Sequence, residues 1–154
     1  MSLDDLKFKH PFNMIISGQS QSGKTIFVCR LLKNWKKLLK IDKNKIFILW
    51  CYKENYPNFT SLDVEIIFQK NLPNISDLKK FKPDILILDD LMIDVNRETC
   101  ELFTIHSHAL NISVIFVVQN LFNRNPFMRT ISLNSHYIIV MKALRTLRRK
   151  TLVK

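Results

Sequence analysis

The stretch GQSQSGKT, residues 18–25, carries the strongest indication of how this chain folds. It holds both glycines of the 154-residue sequence, Gly18 and Gly23, where average usage would supply roughly ten. A chain so poor in glycine is expected to keep it where a tight turn or a close approach excludes a side chain. The apolar run NMIIS at 13–17 precedes the stretch, and an amphipathic helical pattern begins at residue 24. The sequence therefore predicts a glycine loop between a strand and a helix.

The spacing of this loop, GxxxxGKT, is that of a phosphate-binding P-loop. Its backbone N–H groups are expected to point inward at a phosphate chain, beside the positive end of the helix dipole. Lys24 is predicted to neutralise the β- and γ-phosphates of ATP, and the Thr25 hydroxyl to complete a Mg²⁺ shell. The whole loop is predicted to bind the nucleotide, namely Gly18, Gln19, Ser20, Gln21, Ser22, Gly23, Lys24 and Thr25.

Apolar runs alternate with helical patterns along the rest of the chain. The runs are KIFILWC (45–51), DILILDD (84–90), SVIFVVQN (113–120) and HYIIVMK (136–142). Helical patterns cover 24 to about 39 and 97–110, and the proline-punctuated stretch 55–83 is predicted to be irregular with short elements inside it. Nearly continuous apolar strands separated by helices are typical of a parallel sheet covered on both faces. The predicted fold class is α/β, with one domain at 1–142 and a basic tail at 143–154.

Polar residues end two of the predicted strands. Asp89 closes the run ILIL, where a carboxylate beside the glycine loop can hold Mg²⁺ through water. Asp90 follows it and is the candidate base for an attacking water, the alternative being that the two acids simply begin a polar loop. Gln119 ends the next strand and is predicted to orient that water or contact the γ-phosphate, with Asn120 as an alternative. The predicted catalytic set is therefore Lys24, Asp90 and Gln119, with Asp89 and Thr25 at the metal.

The net charge of +11 is concentrated in two clusters. The first is Arg30, Lys33, Lys36, Lys37, Lys40, Lys43 and Lys45, and the second is Lys142, Arg145, Arg148, Arg149, Lys150 and Lys154. Such clusters attract polyanions in a salt-dependent way, and they predict binding to double-stranded DNA that is independent of base sequence. The alternative is a solvated helix face and a frayed tail.

Several classes of protein are disfavoured by what the sequence lacks. No apolar run approaches the ~20 residues that a membrane span needs, and the first residues, MSLDDLKFKH, have no signal-peptide pattern. The three cysteines lie far apart and form no CxxC pair, so neither a metal site nor a disulfide framework is predicted. A soluble protein in a reducing intracellular setting is expected, without a membrane partner.

Four segments carry a resemblance to a known family: GQSQSGKT, ILILDDLM, NISVIFVVQNLF and MRTISLNSHYIIV. From about His10 to Lys142 the chain resembles DNA-packaging ATPases of the FtsK/HerA-like superfamily, and most closely the poxvirus-type ATPases of adintoviruses and Polinton-like elements. The resemblance implies a three-layer P-loop NTPase sandwich whose sensor strand lies between the P-loop strand and the acidic strand. It makes Asp89 and Asp90 the Walker B pair and Gln119 the sensor.

The same resemblance implies a function, an ATP-driven translocase that packages a viral genome into capsids. It further implies a homo-oligomeric ring at the site of virus assembly in the host cell. Arg129 is the first candidate for an arginine finger donated to a neighbouring subunit, with Arg124, Arg97 and the tail arginines as alternatives. Two other functions stay open, an inactive or truncated nucleotide- or DNA-binding remnant and a small P-loop nucleotide kinase. Asp90 and the Gln119 strand count against the kinase.

Overall fold

The computed structural model describes residues 2–121 and 124–142. The predicted basic tail at 143–154 lies outside the described residues, as does Phe122 of the NISVIFVVQNLF segment. The boundary predicted at residue 142 is therefore untested. None of the described helices is long and apolar enough to cross a bilayer.

Strands and helices alternate through most of the described chain. In chain order the strands are β1 (Phe8–Lys9), β2 (Asn13–Gly18), β3 (Leu39–Lys40), β4 (Ile46–Tyr52), β5 (Val64–Lys70), β6 (Ile85–Asp89), β7 (Ser113–Val118) and β8 (Tyr137–Met141). The α-helices are α1 (Lys24–Lys33), α2 (Trp35–Leu38), α3 (Ile75–Phe81), α4 (Arg97–Glu101), α5 (Ser107–Ala109) and α6 (Pro126–Leu133). Short 3₁₀ helices occupy Leu3–Leu6 and Met92–Asp94, and a π-helical segment, Leu102–His106, joins α4 to α5.

Six of the strands form one sheet in the order β5-β4-β6-β7-β2-β8, and every neighbouring pair is parallel. This arrangement confirms the predicted α/β class. Strand β7 lies between β2, which leads into the glycine loop, and β6, which ends in Asp89. The predicted position of the sensor strand is therefore confirmed. The small β1–β3 pair forms a separate two-stranded parallel sheet.

Helices cover both faces of the six-stranded sheet. One face packs against α1 and α2 through Leu32 and Trp35, which are almost completely buried. The opposite face packs against α3, the π-helical segment and α6, through residues that include Leu78, Phe103 and Ile131. Strands β2, β6 and β7 are buried on both faces, which is why their sequences are apolar without alternation.

Two elements differ from the sequence-based expectation. The helix predicted from 24 to about 39 is broken at Asn34, whose side-chain amide donates to the carbonyl of Arg30 at 2.8 Å. Beyond the break, α2 ends at Leu38, close to the predicted end, and Leu39 and Lys40 pair with β1. Strand β5 lies inside the stretch predicted to be irregular, and its full-length pairing with β4 makes it a strand. As an edge strand with one partly exposed face, β5 carries polar residues that weaken its apolar signal.

Candidate functional site

A cleft opens where the carboxyl ends of β2, β6 and β7 meet the start of α1. Its volume is about 460 Å³. Its walls are Ser20, Gln21, Ser22, Gly23, Lys24, Thr25, Ile26, Asp89, Asp90, Val117, Val118 and Gln119. Ligands of open parallel sheets bind at this edge, outside the carboxyl ends of the strands. The structure thus brings residues 20–25 of the predicted loop, both acids and the glutamine into one concave site, whereas Gly18 and Gln19 are not in its wall.

The glycine loop has the backbone of an anion cradle. Gly23 caps α1 in a left-handed conformation, with φ of 91°, and Gln21 also has a positive φ of 63°. Among the described residues, the N–H groups of Gly23, Lys24 and Thr25 donate to no backbone carbonyl. Three free donors at the N-terminus of a ten-residue helix, α1, form a ready-made phosphate site. These features fit the phosphate groups of a nucleotide.

Gly18 is required because a side chain at this position would clash with its neighbours, and not because of its backbone torsion angles. It has no positive φ, whereas Gly23 does. A Cβ at position 18 would lie 2.5 Å from Ser22 Oγ and 2.9 Å from the carbonyl oxygen of Met141, closer than real contacts allow. The two glycines are therefore required for different reasons, one by the packing of the loop against β8 and the other by the turn into α1.

Lys24 lies over the loop. Its ammonium donates to the carbonyl oxygens of Gly18 and, at 3.0 Å, Gln19. Partial burial lowers the pKa of Lys24, while the charges of Asp90 and Asp89 oppose that shift. The ammonium is therefore close enough to both acids to interact with their charges. The phosphates of a bound nucleotide would replace the backbone carbonyls as its hydrogen-bond partners.

Asp89 is the partly buried acid of the cleft. Burial raises its pKa from 3.8 to about 6, the charge of Asp90 adds to the increase, and a hydrogen bond from Trp50 Nε1 at 3.3 Å opposes it. A carboxylate that is short of positive partners, in the same cleft as the Thr25 hydroxyl, suits a hard oxygen-seeking cation such as Mg²⁺. Among the described residues no cluster of three or more His, Cys, Asp or Glu forms a site of its own.

Asp90 and Gln119 form a pair on the exposed side of the cleft. The Gln119 amide donates to Asp90 Oδ1 at 3.3 Å. Asp90 adopts a left-handed backbone, with φ of 57°, and its N–H donates to the carbonyl of Val117 at 3.2 Å. A non-glycine residue with this conformation is uncommon, and such strain concentrates at functional sites. Gln119 lies in the cleft wall, whereas Asn120, the alternative, does not.

None of the described candidates for the arginine finger is in the cleft wall, and the tail arginines lie outside the described residues. Arg129 is exposed on α6, Arg124 is exposed before that helix, and neither is in the cleft wall. Arg97 pairs with Glu101 at 3.2 Å on the surface of α4. No arginine of the described residues therefore completes this cleft from within the same chain.

Two residues near the site carry no sequence signal for their contacts. Trp50 in β4 looks like an ordinary core residue in sequence, yet its indole reaches Asp89. Met141 ends β8, where its carbonyl lies against Gly18. Both contacts join strands that are distant in sequence, so only the sheet order reveals them.

Burial of Asp89 leads to a stability prediction for the nucleotide-free protein. We expect Asp89→Asn to raise the melting temperature at pH 7.5 by several degrees, because each unit of raised carboxyl pKa costs about 1.4 kcal/mol of folding free energy once the group is ionised. The folded pKa of about 6 exceeds the usual 3.8, so this cost develops as the pH rises and is absent below about 4. Thermal unfolding followed by circular dichroism at pH 7.5 and pH 4 measures both effects.

The control for this prediction is Asp42→Asn, at an exposed carboxylate. It should leave the melting temperature unchanged at both values of pH. A lower melting temperature for Asp89→Asn than for wild type at pH 7.5 would contradict the account of Asp89 as a partly buried charge whose desolvation is only partly compensated.

Comparison with known proteins gives structural matches only. Neither a protein-family model nor a curated protein matches the sequence. The fold is similar to the cytoplasmic domain of EssC, at a TM-score of 0.58 and 15% identity, over 99% of this chain and 34% of that one. It is similar to the Legionella pneumophila ATPase DotB, at a TM-score of 0.52 and 13% identity, over 81% and 35% of the two chains.

A third similar structure is the genome packaging NTPase B204 from Sulfolobus turreted icosahedral virus 2, in complex with AMP. The TM-score is 0.53 at 16% identity, over 90% of this chain and 79% of that one. The chain thus spans about a third of the first two structures and most of the third. At such low identities the likeness is one of fold, and this protein has the fold of the P-loop NTPases, with a six-stranded parallel sheet between two helical layers.

Proposed function

We propose that this protein is a Mg²⁺-dependent ATPase that translocates double-stranded DNA, and that its biological role is to package a viral genome into capsids. The observation that carries the proposal is the convergence of Lys24, Thr25, Asp89, Asp90 and Gln119 on one cleft, although they come from three separate parts of the chain. Together they supply the groups that phosphoryl transfer to water requires. Lys24 supplies a cation, Thr25 and Asp89 supply oxygens for the metal, Asp90 supplies a proton acceptor and Gln119 supplies an amide.

The residues divide the work of hydrolysis among them. The free N–H groups at the start of α1 and Lys24 hold the phosphates. Thr25 and, through water, Asp89 would hold Mg²⁺, which supplies positive charge at the β- and γ-phosphate oxygens. Asp90 accepts a proton from the water that attacks the γ-phosphorus, while the bond to the ADP oxygen breaks. The Gln119 amide, already bonded to Asp90, orients that water.

Several observations support DNA as the substrate that is moved. Of the first basic cluster, Lys36, Lys43 and Lys45 form ion pairs with acids of the chain. Arg30, Lys33 and Lys37 are exposed and form no ion pair among the described residues, so their charge is available to phosphates. The resemblance of the four sequence segments to packaging ATPases points the same way, as does the similarity in fold to a viral genome packaging NTPase.

A ring of identical subunits at the site of virus assembly in the host cell belongs to the same proposal, with the capsid as the ring's partner. The cleft is open, and no described arginine of the chain reaches it. Exposed Arg129 on α6 is the residue we propose to act in a neighbour's cleft, as the packaging-ATPase resemblance suggests. Such an arginine stabilises the charge that develops on the γ-phosphoryl group.

The proposed function is tested by steady-state turnover of ATP with and without Mg²⁺ and linear double-stranded DNA. We expect hydrolysis that needs Mg²⁺ and rises with DNA only at protein concentrations where oligomers form. ATP binding without turnover under any condition would instead indicate a nucleotide- or DNA-binding remnant. Transfer of the γ-phosphate to a nucleoside monophosphate would indicate a kinase.

The basic face of α1 and α2 gives a prediction about DNA binding. We expect Arg30→Gln, Lys33→Gln and Lys37→Gln together to weaken binding to duplexes of any sequence. The slope of log affinity against log salt is negative, and it should become less steep by about 2 to 3, because each lost phosphate contact removes roughly 0.9 from its magnitude. Fluorescence anisotropy of labelled duplexes at a series of salt concentrations measures the slope.

A matched control removes the same charge from the opposite face of the sheet. Lys79, Lys80 and Lys82 are exposed in and after α3. Their replacement by glutamine should change the slope by less than about 1. Equal losses from the two triple variants would show that net charge, and not the α1–α2 face, governs binding. Neutralising Arg145, Arg148, Arg149 and Lys150 tests the tail separately, and we expect the larger loss there for the isolated chain.

A further inference from the structure

Trp50 is a completely buried residue with a polar contact to the candidate metal site. Its side chain is 0% exposed, and its one polar atom, Nε1, donates to Asp89 Oδ2 at 3.3 Å. The second tryptophan, Trp35, is also buried, but its Nε1 has no partner among the described residues. Both indoles thus lie in the same core cluster, but among the described residues only the indole of Trp50 donates a hydrogen bond to a carboxylate.

The pairing of β4 with β6 places the indole beside the carboxylate. Trp50 lies opposite Ile87, and Asp89 is two residues further along β6, so its side chain is on the same face of the sheet. A residue in this diagonal position on the neighbouring strand is within reach of a large aromatic side chain. On the other side, the ring of Phe68 in β5 packs against the indole with centroids 5.9 Å apart. Three adjacent strands therefore determine where Nε1 lies.

An indole N–H is suited to hold a metal-binding carboxylate without neutralising it. The donor engages Oδ2, and no hydrogen bond from a described residue engages Oδ1. A lysine or arginine in the same place would pair with the carboxylate and compete with the cation for its charge. Outer-shell hydrogen bonds of this kind fix the orientation of metal ligands and commonly change metal affinity by about 10- to 100-fold.

We propose that Trp50 is the positioning residue for Asp89, holding Oδ2 and leaving Oδ1 for the water through which Asp89 would hold the Mg²⁺ of a bound nucleotide. The inference rests on the proposed nucleotide site, and it assigns a role to a core residue that is not in the cleft wall.

The test is a Mg²⁺ titration of ADP binding by isothermal calorimetry, with Trp50→Phe and wild type compared. Phenylalanine keeps an aromatic ring in the core and removes the N–H donor. We expect the Mg²⁺ concentration for half-maximal ADP affinity to rise about 10-fold in Trp50→Phe. The affinity for ADP in excess EDTA should stay as in wild type, since the loop and Lys24 are untouched.

Trp35→Phe is the matched control, because it removes an indole that donates to no described residue. Both its Mg²⁺ titration and its EDTA affinity should equal those of wild type. A wild-type Mg²⁺ titration in Trp50→Phe, from a protein that binds Mg·ADP normally, would overturn the inference and leave the proposed function intact. Absence of ADP binding by the wild-type protein would overturn both.

A second measurement leaves Trp50 in place and so does not depend on the fold of Trp50→Phe. In Trp35→Phe, Trp50 is the only tryptophan of the chain, since the sequence contains two. We expect its fluorescence emission to change when Mg²⁺ and ADP are added together and to stay constant with ADP in EDTA. The same emission in both conditions would overturn the proposed contact between Trp50 and the metal-binding carboxylate.

Discussion

Lys24→Ala is expected to reduce ATP hydrolysis by at least roughly 10²- to 10³-fold and to weaken ATP binding. The ammonium is the cation of the cleft that lies over the loop carbonyls and within the field of both acids. With alanine, the β- and γ-phosphates lose their nearest positive charge as negative charge develops in the transition state. Steady-state turnover with excess ATP and Mg²⁺, together with equilibrium binding of ATP, measures both effects.

Lys79→Ala is the control for this variant, because Lys79 is exposed on α3, on the other face of the sheet. It should keep wild-type turnover and wild-type ATP affinity. Wild-type turnover in Lys24→Ala would remove the basis for the nucleotide site, whatever else the cleft binds.

Asp90→Asn is expected to bind Mg·ATP as wild type does and to hydrolyse it at least roughly 10²-fold more slowly. Asparagine has nearly the same shape, tolerates the left-handed backbone at this position and can still accept the hydrogen bond from Gln119. It cannot accept a proton from water. Single-turnover hydrolysis, started from preformed Mg·ATP complex, separates the chemical step from binding.

Asp89→Asn is the comparison that tests the division of labour between the two acids. It should shift the Mg²⁺ concentration needed for activity, because Asp89 is the acid proposed to face the metal. Identical kinetics and identical Mg²⁺ dependence in the two variants would contradict the separate roles assigned to Asp89 and Asp90.

Much of the candidate site was predictable because its signals are local. Gly23 stands where the turn into α1 needs a left-handed residue, and Lys24 and Thr25 follow it at a fixed spacing. Asp89 and Gln119 each come directly after a run of apolar residues, and a parallel sheet brings the ends of such runs to one edge. These features depend on the backbone conformation of a few neighbouring residues, which the sequence specifies directly.

Other features depended on pairing between distant segments. Strand β5 was hidden by the polar residues of an edge strand and is established by its pairing with β4. The break of the predicted helix at Asn34 was also not visible, although its helical residues end at Leu38, close to the predicted end. The sequence also did not show which basic residues stay available to a polyanion. Lys36 forms an ion pair with Asp63, and Lys43 with Asp84, only in the folded chain.

Short-range spacing and hydrophobic pattern were enough to specify the glycine loop, the α/β class and the residue types that meet at the carboxyl edge of the sheet. Three further properties required the folded chain: a side chain at position 18 would clash, partial burial raises the pKa of Asp89, and Trp50 donates a hydrogen bond to Asp89. The difference has a physical cause, because close approach, desolvation and a hydrogen bond across strands exist only once β4, β6 and β8 lie in register with their neighbours.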